Sequence, residues 1–495
     1  MQEILFVTGR EAAGRLSALV GEANVYVADV SVAAFINLDS LAAELLRKKV
    51  KAKLIVLPGT IEGDVSALVR KTGMPCVKGP KNLAGIPLFM RNLSKKKFST
   101  TKPAEEVLSE EIRKENERIL KKALRSGGGS LTIGRKKNIR LDGLSHVVSE
   151  IPDAPLLSED ELVSRARYFL EAGASIIDVG MIAGEDNSSN IAGLVDALRA
   201  SIHAPVSVDS MSEREILAAA DAGADLILSL DEKTIGLSHS LRIPVVIVPR
   251  TAEGRVPETV SERVSLLERL IRDAGCPAIA DPLLAPLGLG FAWSLASYIK
   301  FRGRNPEIPM LIGAGNVTEL ADADSPGVNM VLAGFASELN IQLLFTTEAS
   351  PKTRGAVGEL ARACRMMYLS KVREQPPKDL GLDLLKLKDK TRYEPVADPK
   401  AAEASVIDVS KDRRVTLEDE HFKVYVDEGK IRVIYYPKAS SKTVFKGSSA
   451  KALYKEIIGR GLAEGVHAAY LGKELAKAEI ALKLGKNYLQ DEDLF

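Results

Sequence analysis

Cysteine and histidine are scarce in this sequence, and their scarcity excludes whole classes of functional site. The 495 residues include only three cysteines, Cys76, Cys276 and Cys364, and five histidines. The cysteines lie far apart and form no CxxC pair, which predicts buried, reduced thiols rather than a disulfide framework or a redox pair. The histidines form no HExxH motif and no His–carboxylate spacing, so we expect no dedicated zinc site.

Long apolar runs and an excess of charge of one sign are also missing. No apolar segment approaches the roughly 18 residues that a membrane helix needs, and the first residues, MQEILFVTGR, predict a strand rather than a signal peptide. The 68 basic and 66 acidic residues leave no electrostatic footprint for nucleic acid or an anionic membrane. We therefore expect a soluble, cytoplasmic protein without a nucleic-acid or membrane partner.

The first part of the chain alternates short apolar runs with helical stretches. EILFVTG, NVYVAD, KLIVLPGT and MPCVKGP predict four strands, so residues 1–103 are expected to form a Rossmann-like α/β domain. Gly9 and Gly14 follow the first strand, but without a GxGxxG motif they are interpreted as turn glycines in preference to a nucleotide site. Residues 104–130 are expected to be a helical linker, in which a polar, solvated helix over 104–125 precedes the flexible SGGGS.

The middle of the chain carries the strand–helix alternation of a parallel sheet that is buried on both faces. Eight apolar runs, most of them followed by a helical stretch, fit into residues 131–370 and predict a (β/α)8 TIM barrel. The eight candidate strands are residues 144–150, 175–180, 205–210, 225–231, 244–250, 278–284, 310–316 and 341–348.

The last part of the chain changes character. Residues 371–400 are charged and contain prolines, which predicts a linker. Residues 401–495 are expected to form a small α+β domain, in which a hairpin turns around Asp427, Glu428 and Gly429 and two helices follow. The fold class expected for the whole chain is therefore α/β, with a central barrel between a Rossmann-like domain and a small α+β domain.

Polar side chains end most of the eight candidate strands, where such barrels place their active sites. Several carboxylates and an Asn around one cavity suit a neutral heterocycle rich in N–H donors. Some of these groups are alternatively supports for their neighbours, and a metal cage of carboxylates stays open although no spacing motif marks one. The residues at these strand ends are Glu150, Asp178, Asp209, Asp231, Arg250, Asp281, Asn316 and Glu348.

The turn after the eighth strand, EASPKTRG, places two cations beside the start of a helix. Lys352 and Arg354 could hold a phosphate there together with free backbone N–H groups. The alternative, a helix cap beside two surface cations, is equally consistent with the sequence.

Four segments, GASIIDVG, PVSVDS, AGADLILSLD and AIADPLLAPLG, together resemble the pterin-binding barrel superfamily. That superfamily includes dihydropteroate synthase and the methyltetrahydrofolate:corrinoid methyltransferases. HVVSEIPDAP, GAGN and FTTEASPKTRG are similar to the archaeal and methylotroph dihydropteroate synthase-like proteins that are associated with tetrahydromethanopterin. The resemblance implies that Asp209 and Asp281 bind the amino-pyrimidine edge of a pterin and that Asn316 faces the ring. Asp178 and Asp231 are further pterin-binding candidates because of their places at the strand ends.

The sequence departs from the synthase pattern at three strands. The family's strand-four Asn aligns with Leu228, which leaves Ser229 as a substitute, and its strand-seven Ser-Arg-Lys motif is replaced by GAGN. The first strand carries Glu150 within VSEIP, where the family has Asn-Val-Thr-Pro. Pterin binding is therefore the firmer implication, and folate-type synthase activity depends on cations such as Lys352 and Arg354 taking over a missing role.

The segment AAYLGKELAKAEIALKLGKNYLQD resembles the family of the corrinoid-carrying subunit of tetrahydromethanopterin methyltransferase. His467 precedes this segment and is the histidine there that could approach a cobalt. Apolar residues recur around it at helical spacing, so we expect it to lie on an amphipathic helix of a structural or docking domain that binds no cobalamin.

Three functions follow from these patterns. The leading one is a dihydropteroate synthase-type transferase that condenses a dihydropterin methyl diphosphate with an arylamine in tetrahydromethanopterin- or folate-type cofactor biosynthesis. In it, Asp209 and Asp281 are the catalytic residues, pterin is a substrate rather than a cofactor, a need for Mg²⁺ is open, and a homodimer is one expected state. The alternatives are a pterin-dependent, corrinoid-linked methyltransferase and a non-catalytic pterin-binding protein.

Overall fold

The computed structural model describes residues 2–125, 131–134, 138–141, 143–182, 184–387, 421–437 and 441–494. These residues group into two compact units. The first consists of residues 1–349 and 355–385, and the second of residues 350–354 and 386–495. None of the described helices is long and apolar enough to cross a membrane.

A small parallel sheet opens the first unit, in the strand order β2-β1-β3-β4. Its strands are β1 (Gln2–Thr8), β2 (Val25–Val27), β3 (Ala52–Leu57) and β4 (Cys76–Lys78), and the helices around it are α1 (Arg10–Val20), α2 (Leu38–Arg47), α3 (Ser66–Thr72) and α4 (Ile86–Asn92). Alternate residues of a strand pack on opposite faces: Val7 and Leu57 belong to one apolar cluster, Phe6 and Val56 to another. The Rossmann-like prediction is thus confirmed.

The glycine after β1 is a turn glycine. A Cβ on Gly9 would lie 2.6 Å from the carbonyl oxygen of Ser31. The first N–H groups of α1 are also occupied, because those of Arg10 and Glu11 donate to the carbonyls of Val30 and Ser31 at 2.9 and 3.1 Å. A phosphate would have to displace these bonds, so the structure supports the turn interpretation for Gly9. For Gly14 that interpretation was wrong, because Gly14 lies inside α1.

Two glycines of this N-terminal region, Gly59 and Gly14, are expected to respond to alanine in opposite directions. A Cβ on Gly59, just after β3, would lie 2.4 Å from the carbonyl oxygen of Gly79, and two backbone segments cannot separate cheaply. Gly59→Ala should therefore lower the free energy of unfolding by about 1–3 kcal/mol. Gly14→Ala, in α1 with open space around the new Cβ, should raise it by about 0.5–1 kcal/mol. Urea denaturation of the two variants tests this, and equal effects of one sign would contradict it.

The predicted connecting helix exists, but it is not surrounded by solvent. It forms α5 (Ala104–Val107) and α6 (Ser109–Arg125), and Leu108 and Ile112 on one side pack into the cluster around Phe89. Asn116 is 3% exposed and donates to the carbonyl of Leu380 at 2.8 Å. The expectation of a solvated helix was wrong because its few apolar side chains share one face.

Eight parallel strands follow in the order β12-β11-β10-β9-β8-β7-β14-β13, and a parallel bridge between Ala280 and Met310 joins the two ends. The predicted barrel is therefore confirmed. The short antiparallel pair β5 (Thr132–Ile133) and β6 (Ile139–Arg140) precedes it; the barrel strands are β7 (His146–Ile151), β8 (Ile176–Gly180), β9 (Val206–Asp209), β10 (Leu226–Leu230), β11 (Val245–Ile247), β12 (Ala278–Ala280), β13 (Leu311–Gly313) and β14 (Leu343–Thr347).

Alternation along these strands separates two apolar layers. Ile177 and Val179 of β8 belong to the large cluster between strands and helices, whereas Ile176 lies inside the barrel with Val148. Ile133 of the β5–β6 pair also packs in this inner cluster. A continuously apolar strand is stable here because both of its faces are buried.

Within the described residues, helices follow seven of the eight barrel strands. They are α7 (Glu159–Ala172), α8 (Ser188–Ser201), α9 (Glu213–Asp221), α10 (Val260–Arg272), α11 (Phe291–Arg304), α12 (Gly315–Thr318), α13 (Ser325–Glu338) and α14 (Ala356–Arg373). Ser158 and Glu161 start α7 with a capping box. After β10 the chain makes only the short 3₁₀ turn Ile235–His239, because the segment before β11 is short and contains Gly236.

The first part of the predicted linker is packed rather than extended. Helix α14 continues to Arg373, and Leu380 beyond it is fully buried against Met366 and Leu369. Residues 388–420, which include the rest of the predicted linker, lie outside the described residues.

The second unit contains the antiparallel sheet β15 (His421–Asp427), β16 (Lys430–Tyr436) and β17 (Thr443–Gly447) and the helices α15 (Ala450–Gly459) and α16 (Gly465–Leu484). Glu428 and Gly429 form the predicted hairpin turn, both with positive φ, as a two-residue turn requires. The sequence pattern missed the third strand. His467 lies on α16, which packs on the hairpin through Leu471 and Leu475.

Candidate functional site

Three carboxyl groups meet on adjacent strands at the carboxyl end of the barrel. Glu150 of β7 pairs in register with Asp178 of β8, and Gly180 of β8 pairs with Asp209 of β9. All three acidic residues continue the inward-facing alternation that places Val148 and Ile176 in the inner cluster. The side chains therefore converge on the barrel mouth.

Asp178 is the deepest of the three and has no exposed surface. The hydroxyl of Ser207 donates to its Oδ1 at 2.6 Å, while Oδ2 is buried and has no partner among the described residues. Burial, and then the charges of Asp209 and Glu150, hold the pKa of Asp178 well above its usual range. We therefore interpret Asp178 as a neutral residue that supports the site from below, whereas the sequence suggested that it contacts the ligand directly.

Glu150 is half-buried at the rim of the same cluster. Burial, followed by the negative charge of Asp209, raises the pKa of Glu150 to about 7. A Cβ on Gly180 would lie 2.5 Å from its Oε1. Only glycine at position 180 lets this carboxylate lie across the end of β8.

Asp209 is half-buried, and two neighbouring groups stabilise its charged form. Burial raises the pKa of Asp209, but the hydroxyl of Ser229 and the positive charge of Arg250 oppose this effect. Ser229 has a φ of 68°, and the register between β10 and β11 shifts around it. This bulge leaves Leu228 buried in the inner cluster and places the Ser229 side chain beside Asp209.

Asp281 follows β12 and is 7% exposed. The Tyr298 hydroxyl and the backbone N–H of Leu283 both donate to its Oδ1, at 2.5 and 2.8 Å. Burial raises the pKa of Asp281 to about 6, although these two hydrogen bonds favour the charged form. Since both bonds end on Oδ1, they hold the carboxylate in one orientation and leave Oδ2 as a further acceptor.

Sequence reasoning missed Tyr298. It lies on α11 and is fully buried. The available signal was a tyrosine on the inner face of a helix, because a buried phenol needs a hydrogen-bond partner. Nothing in the sequence identified that partner as Asp281, 17 positions earlier.

Asn316 and Arg250 also lie at the carboxyl end of the barrel. Asn316 is exposed at the start of α12, and its amide donates to the carbonyl of Leu284 at 2.8 Å. This bond joins the loops after β12 and β13 and leaves Oδ1 of the amide as an acceptor. Arg250 is half-buried, and its Nε is buried without a partner among the described residues.

Two of the predicted strand-end residues, Asp231 and Glu348, form hydrogen bonds within the protein that cap a turn or a helix. Asp231 is 6% exposed, and its Oδ1 accepts from the N–H groups of Lys233 and Thr234 and from the Thr234 hydroxyl. Glu348 accepts from the N–H of Val357, near the start of α14, and from the hydroxyl of Tyr168. This geometry favours turn and helix capping over ligand contact for both.

Lys352 and Arg354 are exposed, and their segment, residues 350–354, groups with the second unit. Their assignment to a phosphate stays a prediction. Among the residues that the structure describes, no group of three or more His, Cys, Asp or Glu side chains has an arrangement that could hold a metal ion.

The mouth also contains a buried polar network that the sequence did not reveal. Glu215 of α9 is 3% exposed and accepts from the backbone and side-chain N–H groups of Asn187 at 2.8 and 3.0 Å. It also accepts from the hydroxyl of Ser210, the residue after Asp209. The network ties the loop after β8 to the loop after β9 and so fixes the position of Asp209.

Three family models match successive parts of the chain. Residues 151–263 match the model described as pterin binding enzyme. Residues 2–81 match a family of unknown function, DUF6513, and residues 418–491 match PterinBD-DUF4346. The likeness of the C-terminal part to the corrinoid-carrying methyltransferase subunit stays a prediction, because the matching model carries a different description.

The chain is similar to proteins with and without a named activity. It is 36% identical to the uncharacterized protein MJ0107 of Methanocaldococcus jannaschii over 524 residues, covering 100% of this chain and 99% of that protein. It is 28% identical to a Haloferax volcanii protein named "probable bifunctional folylpolyglutamate synthase/dihydropteroate synthase", over 34% of this chain and only 24% of that protein.

Two solved structures resemble this chain in fold, with TM-scores below 0.4. Yersinia pestis dihydropteroate synthase with a pterine-sulfa conjugate is 17% identical with a TM-score of 0.39, covering 49% of this chain and 100% of that one. The Thermus thermophilus enzyme in complex with 6HMPPP is 21% identical with a TM-score of 0.37, covering 47% and 97%. Likenesses this weak say nothing about activity. By its full-length identity, this chain belongs to the family of protein MJ0107, and residues 151–263 match the pterin binding enzyme model.

Proposed function

We propose that the barrel mouth binds a reduced pterin and that the protein is a dihydropteroate synthase-type transferase. The observation that carries this proposal is the nearly buried Asp281 carboxylate, which Tyr298 and Leu283 hold through Oδ1 so that Oδ2 can accept from a ligand. The match of residues 151–263 to pterin-binding enzymes supports it.

A pterin's amino-pyrimidine edge presents neighbouring N–H donors, which a carboxylate accepts in charge-assisted hydrogen bonds. Asp281 is oriented before the ligand arrives, so little conformational freedom is lost on binding. Asp209 faces the same cavity with Ser229 and Arg250 beside it. The neutral form of Asp178 beneath them limits repulsion between the charged groups.

In the proposed reaction an arylamine nitrogen attacks the methylene carbon of a dihydropterin methyl diphosphate. The carbon–oxygen bond to the diphosphate breaks, and the diphosphate leaves with the electron pair. Positive charge develops on the pterin-methyl group, which the Asp209 carboxylate stabilises. The product is a pterin–arylamine conjugate of the kind used in tetrahydromethanopterin- or folate-type cofactors.

Arg250 is the residue that we assign to the diphosphate in the first unit, because its guanidinium lies beside Asp209 and its Nε lacks a partner among the described residues. Arg250→Met should weaken the binding of the pterin diphosphate about 10- to 100-fold while leaving the free pterin alcohol within about threefold. Calorimetry with both ligands measures this. Equal losses for the two would show that Arg250 acts on the shape of the pocket.

The direct test of the reaction is incubation of the purified protein with a dihydropterin methyl diphosphate and an aminobenzene, followed by mass spectrometry. We expect a condensed product that the Asp281→Ala variant does not form. A protein that binds the pterin but forms no product would be the non-catalytic pterin-binding protein instead.

A corrinoid-linked methyltransferase is the second candidate, favoured by the exposed Asn316 and by His467, whose Nε2 is buried without a partner among the described residues. We expect the full chain to bind no cobalamin, because His467 is half-buried on a packed helix. The absorbance spectrum after addition of cob(III)alamin and gel filtration decides this. Retention with a spectral shift that disappears in His467→Ala would favour the methyltransferase.

A further inference from the structure

We propose that Glu150 is the catalytic base of the condensation. Its carboxylate takes the proton that the arylamine nitrogen loses as it bonds to the methylene carbon. This inference rests on the proposed function and adds the residue that completes its proton balance.

The first support is that the Glu150 carboxylate is not engaged by the protein. None of the described residues donates a hydrogen bond to its oxygens, since the bond from Thr347 ends on its backbone carbonyl. Asp231, Asp281 and Glu348 differ in this respect, because each accepts from a backbone N–H. A base needs an oxygen that can receive a proton, and Glu150 has two.

The second support is the way in which the fold places this carboxylate. Residue 180 pairs in register with Asp209, and the missing side chain of Gly180 makes room for Oε1 of Glu150, 2.5 Å from where a Cβ would be. The carboxylate thus lies toward Asp209, where the charge on the pterin-methyl group is proposed to develop. The attacking nitrogen must reach the same carbon.

The acidic surroundings of Glu150 also favour its protonation. The titratable groups that face Glu150 within the described part of the chain are all acidic: Asp178 from β8, Asp209 from β9, Asp153 after β7 and Glu319 after α12. No described cation opposes them in the way that Arg250 stabilises the charge of Asp209. Proton uptake at Glu150 is therefore favourable, and its pKa of about 7 suits a group that gains and loses a proton at neutral pH.

The nitrogen–carbon bond forms while the carbon–oxygen bond breaks, and the diphosphate leaves with the electron pair. The nitrogen, positively charged after the attack, passes one proton to an oxygen of Glu150. The neutral carboxylic acid then releases this proton to water when the product leaves, which restores the base.

The test is the Glu150→Gln variant of the full chain, compared with Glu348→Gln as the matched control. We expect kcat to fall about 100- to 10,000-fold in Glu150→Gln, with KM for the pterin diphosphate within a few-fold of wild type. The wild-type rate should rise with pH through about 7, and Glu150→Gln should lack this rise, whereas Glu348→Gln keeps the rate and the profile. A Glu150→Gln variant with wild-type kcat and pH dependence would overturn the proposal.

A second measurement does not depend on activity. Infrared difference spectra of the wild type between about pH 5 and pH 9 should show the carbonyl stretch of carboxylic acids. Glu150→Gln should lose the Glu150 part of this signal and keep that of Asp281, whereas Glu348→Gln should retain both. If the wild type itself forms no product, the proposed function and the role of Glu150 are both overturned. A wild type that makes product but shows no Glu150-dependent band would overturn the role of Glu150 alone.

Discussion

Replacing Asp281 with alanine should weaken the binding of a dihydropterin about 30- to 1000-fold, which is about 2–4 kcal/mol. The carboxylate is nearly buried and oriented by Tyr298 and Leu283. Its removal leaves the N–H donors of the bound ring without an acceptor in a site from which water is largely excluded. Asp209→Ala should cause a loss in the same range, and calorimetry with a dihydropterin measures both.

The Tyr298→Phe variant distinguishes the effect of orienting the Asp281 carboxylate from the effect of its charge. This variant keeps the Asp281 carboxylate and removes one of the two hydrogen bonds that hold it, so we expect a loss of about 5- to 30-fold. Asp231→Asn is the matched control, because Asp231 caps a turn at the end of β10 and the amide oxygen can still accept. Unchanged affinity in both Asp209→Ala and Asp281→Ala would remove the pterin site from this mouth.

The double variant Glu150→Gln, Asp281→Asn should be more stable than the wild type by about 2–5 kcal/mol above pH 7. The pKa values of about 7 and about 6 lie above the ordinary values of these carboxyl groups. The folded protein therefore binds more protons than the unfolded chain between about pH 4 and pH 7, and wild-type stability falls as the pH rises through this window. The range is below the full sum of the two shifts, because Glu150 is only half-buried.

Urea denaturation of both proteins at about pH 4 and pH 8 checks this prediction. The two free energies of unfolding should nearly coincide at the lower pH and separate at the higher one, since the amides are neutral at both. A constant difference would mean that the substitutions act through packing. A separation in the expected direction would show that the mouth is electrostatically strained, the stability cost that functional sites commonly carry.

The sequence by itself determined the architecture of the barrel. All eight predicted strands are present, because short apolar runs that mostly alternate with helical stretches are typical of parallel strands buried on both faces. The same pattern placed Glu150, Asp209 and Asp281 at the carboxyl ends of their strands. These are local properties, which the order of residues specifies without knowledge of their distant neighbours.

Only the tertiary structure decided what each strand-end residue does. Asp178 and Asp209 follow similar runs, yet one is fully buried beneath the site and the other reaches its surface. Asp231 looks like a ligand group in the sequence but caps the turn that replaces a helix after β10. Register, burial and partners such as Tyr298 come from segments far apart in the chain. They set the pKa and the orientation of each carboxylate, and these two properties separate a binding group from a base or a support.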